Sequence, residues 1–175
     1  MIRLLQKPEE DITAPPALSN LAGKYLTFVL GEASYGIAVD RIREIIRMTE
    51  ITAIPEMPHY IRGVINLRGK VIPVVDLRLR FRLGERQNAG RTCVIVTRVT
   101  LCSGDTMQVG KIVDAVEEVI HIDATSLEEP PHFDTRIQRG YLLAMAKIKG
   151  RVKILLNIDR VFSSASLTNL ETIGV

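Results

Sequence analysis

The run from Arg62 to Phe81, RGVINLRGKVIPVVDLRLRF, constrains the fold more than any other stretch of this chain. It is apolar and β-branched, and a tight Arg68-Gly69-Lys70 turn interrupts it once. Stiff, branched side chains suit a pleated strand, so the run predicts a hairpin of 64–67 against 71–77. Pro73 has no N–H to give to a ladder, which predicts an edge strand or a bulge for the second arm. Nothing in the run could act as a nucleophile, a metal ligand or a phosphate cradle. Well-ordered sequence without chemistry points to a surface that binds another protein.

The rest of the chain is of the same kind. Aromatics are only 5% of the 175 residues and Trp is absent, so the core is built from Val, Ile and Leu. A chain of this length can bury such a core without disulfides or metal. Residues 1–23 read as a tail, because Pro8, Pro15, Pro16 and the acids Glu9, Glu10 and Asp11 break any periodicity; order is expected from about Lys24. Tyr25–Leu30 and Tyr35–Val39 read as strands. Ile42, Ile45 and Ile46 fall at i, i+3 and i+4, which predicts a short helix over 40–47 capped by Asp40. A short strand is expected at 51–54. Arg78, Arg80 and Arg82 alternate with Leu79, Phe81 and Leu83, the period of a strand with one wet face. Strands are expected at 92–101 and 107–113. The stretch 113–120 also shows helical spacing at Val113, Val116, Val119 and Ile120, but its β-branched content favours strand. After a polar connection over 121–140, a last hairpin turns at Lys149-Gly150-Arg151, and Asp159 is placed to cap a helix from Arg160. Many short strands with frequent turns predict an all-β fold of barrels with short helices, with no repeat period visible.

Chemistry is hard to find. Cys93 and Cys102 form no CxxC pattern and read as reduced thiols near a strand pair, which fits the cytoplasm. His59, His121 and His132 lie in no nucleophile-elbow context, and no phosphate loop or dinucleotide fingerprint is present. No cofactor or metal is expected. No apolar run approaches the length of a membrane span, and the N-terminus is too quickly acidic for a signal peptide. Charge is uneven: bases outnumber Asp76 and Glu85 between Arg62 and Arg91, while 112–134 holds acids and no Lys or Arg. That pattern suits docking to complementary protein surfaces better than a single basic face. The Arg78/Arg80/Arg82 stripe leaves open an alternative, a small β-barrel nucleic-acid binder, against which stands the lack of stacking aromatics beside it.

Four segments in this order resemble the CheW family of chemotaxis coupling proteins: FVLGEASYGIAVDRIREIIR (28–47), ITAIPEMPHYIRGVINLRGKVIPVVDLR (51–78), VGKIVDAVEEVIHI (109–122) and KILLNIDRVF (153–162). The resemblance covers roughly 24–165 and leaves 166–175 as a C-terminal tail. It implies two SH3-like five-stranded barrels packed around a shared hydrophobic seam, and a non-catalytic adaptor. Its implied partners are the regulatory domain of a CheA-type histidine kinase and the cytoplasmic tip of a membrane chemoreceptor, the membrane being reached only through that receptor. The output could be flagellar, type IV pilus or another chemosensory pathway. By resemblance the kinase-contacting positions are Val39, Ile42 and Glu44, and the receptor-binding or coupling positions are Gly63, Arg68, Gly110, Val116 and Val119. Glu44 and Arg68 are charged residues flanked by apolar runs, and they are expected to pair on a common surface. The chain departs from the family pattern in its longer N-terminal tail, its longer 101–106 hairpin and its arginine-rich 78–82 run.

Overall fold

Two β-sheets share one apolar seam. The computed structural model describes residues 17–84, 90–101, 103–131 and 141–161. Strands β1 (Gly23–Leu30), β2 (Ala33–Ala38), β3 (Ile42–Arg47), β4 (Ile61–Leu67) and β5 (Lys70–Asp76) are followed by β6 (Cys93–Thr100), β7 (Thr106–Val113), β8 (Ala115–Ile122), β9 (Leu127–Glu128), β10 (Leu142–Ile148) and β11 (Arg151–Leu156). Helices α1 (Leu18–Leu21) and α2 (Leu77–Arg80) are one turn each. The five-stranded sheet has the order β3-β6-β7-β5-β4, and the six-stranded sheet the order β8-β1-β2-β11-β10-β9.

Written side by side, the two orders are one plan used twice. β3, β6, β7, β5 and β4 correspond to β8, β1, β2, β11 and β10. The correspondence holds residue by residue. The Arg68-Gly69 turn matches Lys149-Gly150, and Arg68 and Lys149 share the same positive φ of 52°. Five residues past each turn glycine, Val74 pairs in parallel with Gly110 and Leu155 with Gly36. A Cβ on Gly110 would lie 2.8 Å from Val94 Cγ1, and one on Gly36 would lie 2.7 Å from Leu155 Cδ2. Both glycines therefore permit the same close crossing. Even irregularities repeat: the shift between Ile61 and Gly63 has its counterpart between Leu142 and Ala144. The Thr52–Val64 bridge corresponds to the Glu128–Met145 pair.

Side-chain alternation then sorts the core into three clusters. Ile65, Ile72, Val74, Val94, Val96 and Ile112 fill the inside of the five-stranded sheet, with Ile46 of β3 packed on them. Tyr25, Ile122, Leu127, Ala144, Ala146 and Leu155 fill the inside of the other. The alternate residues, including Leu26, Phe28, Val75, Ile95, Val109, Val113 and Leu156, point the opposite way and form the seam. β1, β5, β6, β7 and β11 are thus buried on both faces, which is why they read as continuous apolar runs. Each fully buried Val, Ile, Leu or Phe stabilises by roughly 1.5–3 kcal/mol.

Several expectations are corrected. Residues 40–47 are not a helix: Val39–Arg41 is a 3-10 turn and Ile42–Arg47 a strand. The reason is a bulge between Ile42 and Glu44. It sets Ile42 opposite Thr97 and Ile45 opposite Ile95, so a spacing of three lands on one face of a strand. The Arg78–Arg82 stripe is likewise no strand. Asp76 accepts hydrogen bonds from the N–H groups of Arg78 and Leu79 and starts α2 instead. Of the two expectations for Pro73, the edge strand is not seen, since β5 lies between β4 and β7, but a register shift does fall beside it, between Ile61 and Gly63 of β4 opposite Val75 and Val74; the parallel pairing with β7 begins only at Val74. The strand expected at 51–54 is a single bridge at Thr52. Arg160 lies in a turn and not in a helix, and Asp159 spends its carboxylate on Arg41 and the Thr100 N–H. In the stretch read as tail, Leu18 and Leu21 pack on the core and the Leu21 carbonyl accepts from the Tyr25 hydroxyl at 2.6 Å. Cys102, His132 and the expected C-terminal tail lie outside the described residues.

Candidate protein-interaction site

Glu44 and Arg68 meet, although their strands are the two outer members of the five-stranded sheet. Arg68 sits in the β4–β5 turn, where it and Gly69 both have positive φ and the Gly69 N–H donates to Asn66 Oδ1 at 2.8 Å. That geometry matches the twist of the flanking strands. Glu44 lies on the same face of β3 as Ile46, which packs on the inner cluster of the five-stranded sheet. The guanidinium donates to both carboxylate oxygens, at 2.7 and 2.8 Å. Two parallel bonds fix orientation as well as distance. The pair closes one sheet edge onto the other, and it does so at the surface: the Arg68 side chain is 75% exposed and that of Glu44 24%. Hydrogen bonding from Arg68 holds the Glu44 carboxyl below its ordinary value, and the same bond raises Arg68. Glu44 therefore stays ionised and presents Arg68 in one pose, with its remaining N–H groups free to reach a partner.

Val116 and Val119 of the second expected set lie on β8, which among the described residues pairs only with β1 and so forms an edge. A register shift opposite Leu26 and Phe28 sets Val119 across from Leu26 and Val116 across from Phe28. Thr27 Oγ1 donates to the Glu118 carbonyl at 3.1 Å within the bulge. Both valines thus fall on the seam side. Val116 packs against the seam cluster beside Cys93, whose thiol is pushed up by burial. Val119 stands out into solvent at 56% exposure. By the equivalence of the sheets, Ile42 matches Val116 and Ile45 matches Val119. Ile45, also exposed, was missed from the sequence because the helical reading gave it to a buried face. Val71 and Val152, equivalent residues just past the two turns, are likewise exposed.

The other expected positions are half-buried or buried. Val39 is half-buried in the 3-10 turn, and Ile42 packs on the seam. Gly63 has φ of 139°, and a Cβ there would stand 2.0 Å from the Thr52 carbonyl oxygen. Gly110 is buried on β7. These two glycines shape the site and do not touch solvent. The arginines of α2 also turn inward. Arg78 donates to Asp114 at 2.6 Å, and Arg80 lies between the Tyr60 and Tyr141 rings, 4.7 and 4.9 Å from their centroids, donating to the Val161 carbonyl. A phosphate-binding stripe does not exist, and Arg82 alone of the three is exposed. Among the described residues no cluster of His, Cys, Asp and Glu could hold a metal ion, and no helix is long and apolar enough to cross a membrane.

The fold has counterparts among known proteins. Residues 24–166 match the model of the CheW-like domain. The chain is 32% identical over 162 residues to the chemotaxis protein CheW of Klebsiella aerogenes, covering 90% of this chain and 95% of the relative. It is 31% identical over 156 residues to the CheW of Treponema pallidum, covering 89% and 91%. Among solved structures, the scaffolding protein TtCheW of Thermoanaerobacter tengcongensis superposes with a TM-score of 0.73 at 36% identity, covering 83% of this chain and 95% of that one.

Proposed function

This chain belongs to the CheW-like family and is an adaptor of chemotaxis signalling; on that premise we propose that it joins a CheA-type histidine kinase to the cytoplasmic tip of a membrane chemoreceptor. The β3 surface with Val39, Ile42 and Glu44 meets the regulatory domain of the kinase. Arg68 serves the receptor side together with Val116 and Val119, while Gly63 and Gly110 permit the close strand packing of the sheet that carries it. The observation that carries this reading is the bidentate Glu44–Arg68 pair, because it joins one residue of each contact set. The role is non-catalytic and works by assembly in the cytoplasm at receptor arrays. Modest patches on two faces would each give micromolar-class affinity, about −8 kcal/mol, which an array multiplies through effective concentration.

Arg68→Glu tests the proposal, since it sets like charges against each other at an exposed turn. The expected result is a melting curve close to that of the parent and loss of receptor control over a reconstituted kinase. Kinase activity that still responds to the receptor refutes the assignment.

A further inference from the structure

The two sheets are held together by more than apolar packing. Asp114, in the crossover from β7 to β8, accepts from Arg78 at 2.6 Å and from the Gly31 N–H at 2.8 Å. Asp159, just past β11, accepts from Arg41, in the crossover from β2 to β3, and from the Thr100 N–H at 2.9 Å. These two sites are equivalent under the internal duplication at the post-hairpin residue and the backbone donor, while Arg41 lies one residue past Asp40, the counterpart of Asp114. Arg78 and Asp159 both lie nine residues past their turn glycines, as the numbering from Gly69 and Gly150 gives. Thr100 and Gly31 both lie four residues past the strand residues facing Gly110 and Gly36, namely Val96 and Thr27. One plan has thus produced two clasps of opposite polarity: arginine follows the hairpin in one sheet and aspartate in the other.

Placement gives the clasps their meaning. Apolar contact is non-directional, so the seam brings the sheets together without fixing their angle. Charge-assisted hydrogen bonds are directional and fix it. Each clasp also sits at the crossover that runs straight into a strand carrying expected contact residues: Arg41 precedes Ile42 and Asp114 precedes Val116 by two. The Arg78–Asp114 pair is the more shielded, its side chains 15% and 18% exposed against 32% and 33% for Arg41 and Asp159.

We infer that the Arg78–Asp114 and Arg41–Asp159 clasps are a conformational device that sets the angle between the sheets and so couples occupancy of the β8 surface to that of the β3 surface. The coupling half rests on the adaptor reading above; the angular half does not.

The test is Asp114→Asn with Asp159→Asn in the full chain. Asparagine keeps a carbonyl oxygen for the Gly31 and Thr100 N–H groups and removes only the charge. Spin labels at Val71 and Val152, one exposed site per sheet, on a Cys93→Ala, Cys102→Ala background, report the angle without any partner. A narrow distance distribution in the parent should broaden or shift in the double variant; an unchanged distribution overturns the device. Titrations with a CheA-type regulatory domain and a receptor cytoplasmic fragment then read the coupling. A saturating receptor fragment should change kinase-domain affinity by about fivefold or more in the parent and by less than about twofold in the variant, with each separate affinity preserved. Coupling that survives in the variant, or a parent that binds both partners without coupling, overturns the inference. A parent that binds neither partner refutes the adaptor reading, and the label distances then decide the angular half alone.

Discussion

Gly63→Ala is the sharpest test of whether an expected contact position acts through contact or through fold. The new Cβ would stand 2.0 Å from the Thr52 carbonyl oxygen, 2.7 Å from its carbon and 2.9 Å from Ala53 Cα. All are backbone atoms, so no side chain can swing away. The Thr52–Val64 bridge must therefore open, which forfeits two hydrogen bonds of 2.9 Å. Each contributes about 1 kcal/mol. Alanine at φ 139° adds strain of about 1–3 kcal/mol. The sum is about 3–5 kcal/mol. For a chain of this size each kcal/mol moves the melting temperature by about 2–4 °C, so a fall of about 6–20 °C is expected. Circular-dichroism melts and urea titration measure it, with Gly69→Ala as the comparison. That site also has positive φ, but its Cβ would meet nothing within 4 Å, so its cost is confined to about 1–3 kcal/mol of strain. A Gly63→Ala protein that melts with the parent yet loses receptor coupling would refute the steric argument and make Gly63 a contact residue.

Ile42→Asp should lower both kinase-domain affinity and the melting temperature, because Ile42 packs on the seam and a carboxylate there is desolvated. Ile45→Asp, at an exposed position of the same strand, should lower affinity while moving the melt little; an unchanged titration removes β3 from the kinase surface. The Glu44–Arg68 pair has a pH signature. Because the folded Glu44 carboxyl titrates below its ordinary value of 4.5, the pair's contribution is complete above that value and is lost as pH falls through the lower folded one. Receptor coupling should survive from neutral pH down past 4.5 and fail only as pH falls through the lower folded value of Glu44, and Glu44→Gln should abolish that acid dependence. Lys111 has the opposite sign. It is fully buried on β7, donates to Thr97 Oγ1, and burial drives its amine well below the usual lysine range. The unfolded chain then binds more protons than the folded one between the folded value and 10.5, so stability rises with pH across that window. Lys111→Met should flatten the rise in urea midpoints between pH 7 and 9.5; an unaltered slope refutes it.

Sequence reading went furthest where pattern and turn chemistry agreed. The β4–β5 and β10–β11 hairpins, the strand character of 115–122 and the meeting of Glu44 with Arg68 were all legible. It failed where one apolar spacing has two physical sources. Ile42-x-x-Ile45 and Val116-x-x-Val119 are the same signal, yet the first was read as helix and the second as strand. In both, a bulge adds the residue that places a spacing of three on one strand face. Only a partner strand shows a bulge, because it is defined by the residue it fails to pair.

The sequence alone determined the all-β class, because hairpins and turn motifs are local and survive in one dimension, and its resemblance to the CheW family implied the adaptor role. Tertiary structure alone decided the roles of the arginines after Asp76. Alternation made them a wet edge; the Asp76 cap starts a helical turn that sends Arg78 to Asp114 and Arg80 between two tyrosines across the seam. It also revealed the duplication, since the two halves share backbone register and hardly any side chains. Register is a property of pairs of strands, and no single strand carries it.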